Sequence, residues 1–194
     1  MRNLLLALAV AASPALVAQD LTGGLQAGLA KPFGDFESKN PYGVKDGNGV
    51  QFGGHLNFHF NRQHALRLHL DTFGFSGDSV RDGGQYRDNT YGVLQFGADY
   101  VLTFNNPSRG PLFLAGVTVN KVKAKATWDF LPDAEATQNG RLGIRVGGGY
   151  AFNHWFSLEG TINHVAVDKG GADGFGIDAL TWVGATAVFR FGGR

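Results

Sequence analysis

Apolar and polar residues alternate along a series of segments about ten residues long, and the connections between segments are short and long by turns. Gly49–Phe60 (GVQFGGHLNFHF) carries the pattern most clearly. Val50, Phe52, Leu56, Phe58 and Phe60 fall on one face; Gln51, His55, Asn57 and His59 fall on the other. A period of two is the period of a β-strand. Eight segments follow it, at roughly 21–31, 49–60, 65–75, 90–104, 111–123, 140–152, 155–167 and 177–191. The third ends in Phe73 and Phe75, out of phase with Leu66, Leu68 and Leu70, which predicts a bulge or a loop-side aromatic there. Helix signals are nearly absent, and the Ala-rich stretch Asp133–Thr137 reads as a loop fragment.

Residues 61–64, 105–110 and 153–154 make short turns, whereas 32–48, 76–89, 124–139 and 168–176 make long loops rich in Gly, Asp, Asn and Lys. Short turns at one end and long loops at the other mark a transmembrane β-barrel with its short side periplasmic. An even strand count puts both termini on that side, so the first and last strands can pair and remove the sheet edge.

The start of the chain agrees with export. Arg2, the apolar run Leu4–Ala12 and the small residues after it have the layout of a secretory signal peptide over 1–18, leaving a barrel domain over 19–194. The chain has no Cys, so no disulfide holds the exported domain together. A net charge of +1 gives no argument for nucleic acid. The 30 Gly have no collagen period, and many lie inside apolar segments, where a narrow lumen needs bends and close backbone approach.

With these features the chain resembles the small eight-stranded outer-membrane barrels, of the OmpX and OmpA transmembrane-domain kind, over essentially the whole mature length. The resemblance implies an antiparallel up-and-down barrel in the bacterial outer membrane, in contact with lipid and lipopolysaccharide. It also implies a last strand whose terminal aromatics, here Phe189 and Phe191, are read by the barrel assembly machinery. No peptidoglycan-binding domain is expected after the last strand, so the resemblance does not imply cell-wall anchoring.

A soluble lipocalin-like barrel would alternate in the same way with its apolar face inward. Three observations favour lipid outside. The polar face holds Gly, Gln, Asn, Thr and His rather than Lys and Glu. Phe60, Phe104, Tyr150, Phe152, Trp155, Phe189 and Phe191 gather at the short-turn end like an interfacial girdle. The long loops all lie at one end.

Arg67, Asp71, Asp99, Arg145 and Glu159 share the polar face with His55 and His59. In a narrow lumen such charges must pair, and a turn at 61–64 predicts His55 opposite Asp71 and His59 opposite Arg67. These seven residues form the expected lumen network; it reads as a plug, with a gated pore as the alternative. Lys121, Lys123 and Lys125 share phase with Phe113, Ala115, Val117 and Val119, so they continue the outer face above the hydrocarbon. There they are candidate contacts for lipopolysaccharide phosphates, or a solvated strand extension. The loops offer surfaces for a ligand.

No catalytic, cofactor or metal site is expected. His55 and His59 stand roughly 13 Å apart by strand rise, too far for one metal ion. The loop aspartates lack EF-hand spacing. Ser157 and Glu159 share a face, but His164 is on the other phase, so a lipid-modifying Ser–His–acid site is hard to assemble.

Overall fold

The computed structural model describes residues 20–38, 42–82, 85–104, 108–170 and 174–192; the expected signal peptide lies outside them. The strands are β1 (Asp20–Pro32), β2 (Asn48–His59), β3 (His64–Ser76), β4 (Val80–Asp82), β5 (Gln85–Thr103), β6 (Gly110–Trp128), β7 (Ala134–Ala151), β8 (Phe156–Ala166) and β9 (Ala179–Phe191). Neighbouring strands pair antiparallel, β9 pairs with β1, and β3 pairs with β5 past the three-residue β4. The result is a closed ring of eight strands, each anticipated from the alternation, with no open edge through its middle.

Register fixes the shape of the ring. The path of directly paired residues runs Thr22, Asn57, Arg67, Asp99, Gly116, Arg145, Asn163, Trp182 and returns to β1 at Pro32, ten residues beyond its start. A stagger of that size over eight strands tilts them by roughly 40° and leaves an interior just wide enough for side chains.

Alternation decides the faces. Leu25, Phe52, Leu56, Leu70, Phe96, Val117, Leu142 and Ile144 are exposed on the outer wall, whereas Gln51, Arg67, Asp71, Asp99, Arg145 and Glu159 are buried inside. The barrel is therefore inverted relative to a soluble one. At the short-turn end Tyr150, Phe152, Phe156 and Phe189 form a chain of ring contacts at 5.2, 5.7 and 5.4 Å, with Trp155 stacked on Phe189.

Of the two readings of the end of β3, the structure shows the loop-side aromatic: register is continuous with both neighbours, so there is no bulge, and Phe73 and Phe75 turn into the lumen mouth, where both are buried. Three details depart from the sequence reading. The bulge lies between β6 and β7, where pairing steps from Asn120↔Arg141 to Val122↔Gln138. The extra residue is on β7, with Gly140 at φ 68°, a conformation suited to glycine. The stretch Asp133–Thr137 is strand from Ala134 onward rather than loop, because β5, β6 and β7 run for 19, 19 and 18 residues. Spanning a bilayer takes about 9–11 residues per strand. These three strands thus stand above the wall as a sheet, where neither face is lipid-facing and apolar–polar alternation fades. Finally, the loop after β1 holds a single helical turn, α1 (Asp35–Ser38), whose Phe36 is fully buried.

Candidate functional site

The candidate site is the filled lumen together with the mouth above it. Arg67 on β3 makes a two-pronged ion pair with Glu159 on β8, at 2.6 and 3.1 Å, and its Nε donates to Asn57 Oδ1 at 2.9 Å. Ser157 Oγ donates to Glu159 at 3.4 Å. One step higher, Asp71 Oδ2 accepts from Arg145 at 2.8 Å and lies 2.9 Å from His69 Nδ1; Gln26 donates to the other Asp71 oxygen. Asp99 completes the group, 3.5 Å from His69 Nε2 and 3.8 Å from Arg145 Nε. The side chains of both arginines and all three carboxylates are at most 2 % exposed. Such burial is tolerable only because each charge has an opposite neighbour.

Glycine makes room for this network. Asp71, His69, Asp99, Arg145, Glu159 and His55 are directly paired across strands with Gly53, Gly97, Gly116, Gly116, Gly149 and Gly24. A Cβ on Gly53 would stand 1.8 Å from Asp71 Oδ1, and one on Gly116 2.3 Å from Asp99 Oδ1.

Of the seven expected network residues, the structure brings together Arg67, Asp71, Asp99, Arg145 and Glu159. The register expected for the two histidines is wrong by two residues. His55 faces His69, Gly53 faces Asp71, Asn57 faces Arg67 and His59 faces Ala65. The hairpin is tighter than assumed: Phe60 N–H donates to His64 O, and Asn61 Oδ1 caps the N–H groups of Gln63 and His64. His55 is buried, and neither ring nitrogen has a hydrogen-bond partner among the described residues. His59 sits lower, with Nε2 3.1 Å from Thr22 Oγ1, which also accepts from Asn57 Nδ2 at 3.2 Å; it joins the Arg67 end of the network through these two residues. His69 and Gln26 are members the sequence reading missed, though His69 shares its face with Arg67 and Asp71 and was legible on that ground.

Above the charges the lumen closes with apolar side chains. Phe73, Phe75, Tyr91, Val93, Val122, Val165, Leu180 and Trp182 from the strands meet Phe36, Val44, Phe175 and Ile177 from the loops. Trp182 contacts Phe73 at 5.0 Å and Phe75 at 5.5 Å; Phe36 packs edge-on to Phe75 and Tyr91, each at 5.1 Å. On the standing sheet, a cavity of about 260 Å³ is lined by Tyr42, Arg87, Asn89, Trp128 and Phe175, among others. The Arg87 guanidinium lies over the rings of Tyr42 and Trp128 at 5.1 and 5.0 Å.

The lysine row is outward. Lys123 pairs with Glu135 at 2.8 Å and Lys125 with Asp133 at 2.7 Å, while Lys121 is exposed beside Leu94. Hydrogen bonding to Asp133 holds the Lys125 pKa above its ordinary value. Phe189 and Phe191 are exposed on the outer wall. Ser157 meets Glu159, but His164 lies on the outer face against Thr181 Oγ1 at 2.9 Å, so these residues form no nucleophile–base pair.

A closed eight-stranded barrel, lipid-facing outside and charged within, defines a class of membrane-spanning proteins. The chain matches the outer membrane protein beta-barrel domain family over residues 4–191 and belongs to that family, which places it in the bacterial outer membrane. No curated protein matches it by sequence. Among solved structures it is similar to Ail, the attachment invasion locus protein of Yersinia pestis, in complex with the heparin analogue sucrose octasulfate. That match has 14% identity, a TM-score of 0.52, and covers 89% of this chain and 97% of that one. It is also similar to Neisserial surface protein A, at 16% identity and a TM-score of 0.50, covering 88% of this chain and 95% of that one. At such identities the likeness is one of fold.

Proposed function

We propose that the protein is a closed structural and surface-interaction barrel rather than a pore or an enzyme. The observation that carries this reading is the two-part filling of the lumen, a paired charge network roofed by an aromatic cluster that includes loop residues. Ions would have to break both layers to pass. Interaction then belongs to the extracellular end, where β5–β7 and their hairpins stand clear of the bilayer and the Arg87 cavity opens. The heparin analogue held by Ail is in keeping with an anionic partner at such a surface.

Three further assignments belong to this reading. Residues 1–18 act as the export signal. Phe189 and Phe191 present the strand end to the assembly machinery. Lys121, Lys123 and Lys125 meet lipopolysaccharide phosphates. The test is single-channel recording in planar bilayers, with no reproducible large opening expected. A stable, large conductance would overturn the closed reading. A mass shift of lipid A on expression, lost on replacing Ser157 or His164, would overturn the non-enzymatic one.

A further inference from the structure

The outer wall is uneven. Gly54 faces lipid and carries no side chain, yet its flanks are large: Phe52 and Leu56 along β2, Leu25 across on β1 and Leu70 across on β3. Gly54 is less crowded than the lumen glycines beside the charges. An added Cβ would meet Gly24 O at 3.3 Å, a close contact that a shift of a few tenths of an ångström relieves, and Leu25 Cδ2 at 3.5 Å. The missing side chain floors a groove of about 690 Å³ whose walls include Leu25, Phe52, Leu70, Leu94, Phe96 and Phe191.

The stagger of the barrel gives this groove a direction. One circuit of paired residues climbs β1 from Thr22 to Pro32, so each step from β1 toward β6 rises toward the extracellular side. The outward row Leu25, Gly54, Leu70, Phe96, Val119 follows that climb. Four strand spacings of about 4.8 Å make it about 19 Å long, comparable to one leaflet's share of a ~30 Å hydrocarbon core. At its upper end Lys121 projects from β6, directly paired with the groove residue Leu94. Lys123 and Lys125 are held by Glu135 and Asp133, but Lys121 makes no ion pair among the described residues.

We propose that this groove is a specific site for one lipopolysaccharide molecule, with an acyl chain of its lipid A laid over Gly54 and a lipid A phosphate on Lys121. The site rests on the lysine reading above and deepens it by naming the chain-binding half. An apolar trough in the hydrocarbon is filled by a chain, and a cation at its outer-leaflet end selects a phosphorylated headgroup.

The experiment is native mass spectrometry of the full barrel with added lipid A, folding being checked by gel heat-modifiability. The wild type is expected to retain one lipid A per barrel. Gly54→Leu fills the floor, and Leu70→Trp narrows the groove without touching backbone; each should cut retention at least fivefold. Lys121→Gln should cut it similarly. Gly160→Leu, on the opposite wall where an added Cβ meets nothing closer than 3.9 Å, should leave it unchanged. Retention by both filled variants overturns the groove. Loss in those but not in Lys121→Gln overturns the lysine–phosphate contact and leaves the groove a chain site alone. Equal loss in Gly160→Leu, or equal retention of phosphatidylethanolamine, overturns a specific lipid A site.

Discussion

Replacing Glu159 with Gln keeps the shape of the side chain and removes one charge from the lower half of the lumen network. Arg67 then remains buried with its Nε on Asn57 Oδ1, but both terminal nitrogens lose their carboxylate partner. Breaking one side of a buried pair costs about 3–5 kcal/mol, chiefly because the other charge is left uncompensated. The lower end applies here, since Asp99 is the direct cross-strand neighbour of Arg67 and relieves part of the loss. With a urea slope of about 2 kcal/mol per molar, a cost of about 3 kcal/mol lowers the unfolding midpoint by about 1.5 M. The assay is equilibrium urea unfolding of the refolded barrel in lipid vesicles, read by the gel-mobility difference between folded and unfolded forms. The double change Arg67→Met with Glu159→Met should recover most of the loss, because two apolar groups need no partner. A midpoint shift below about 0.3 M for Glu159→Gln, or a double variant as weak as the single one, would refute the idea that this pair is mutually dependent.

Glycine placement makes a paired prediction: Gly53→Ala drives a Cβ into Asp71 and should cost about 1–3 kcal/mol, whereas Gly92→Ala, with nothing within 4 Å, should be near neutral. Thermal gel-shift curves of the two variants test it, and equal behaviour would count against lumen crowding. Trp182→Ala empties the centre of the mouth cluster and should cost about 3–5 kcal/mol while leaving the charge network intact. Urea unfolding reads the cost, and a loss under 1 kcal/mol would show that the aromatic roof contributes little. Lys125, with its pKa raised by Asp133, keeps the pair at neutral pH and loses it only as pH climbs through the lysine's own titration. In ¹³C-lysine NMR titrations Asp133→Asn should return Lys125 toward the ordinary lysine value; no change would remove Asp133 as the cause.

How much of this was legible in the sequence follows from what the bilayer enforces. Inside the membrane each strand residue faces either hydrocarbon or lumen, so Phe52 and His55 could be assigned to opposite faces from alternation alone. Above the membrane that constraint ends. Ala134–Thr137 (AEAT) does alternate, but alanine is its only apolar residue, so the contrast is too weak to mark a strand and the stretch looked like loop. Register is a separate matter. Parity required Asp71 and His55 to share a face but allowed either of two pairings, and the choice fell to Asn61 capping the hairpin. The inward turn of Phe73 and Phe75 looked like a break in phase. It is a change of lumen chemistry along an unbroken strand, from charged at the middle to aromatic at the mouth.

Glycine content and lumen charge, separate observations in the sequence, are one arrangement in the barrel. Eight strands with this stagger leave an interior only about as wide as the side chains that fill it. An arginine and a carboxylate reaching across that space cannot share their level with other side chains on the adjoining strands. Gly116 shows the limit: it stands between Asp99 on one side and Arg145 on the other, paired directly to both. Any larger residue there would displace one of the charges from its partner. The ladders fix the order of strands in the ring, and so which strands face one another. The charge pairs then tie those facing walls together at matched heights, Arg67 on β3 with Glu159 on β8 and Asp71 on β3 with Arg145 on β7. They do so at positions where glycine leaves room for them.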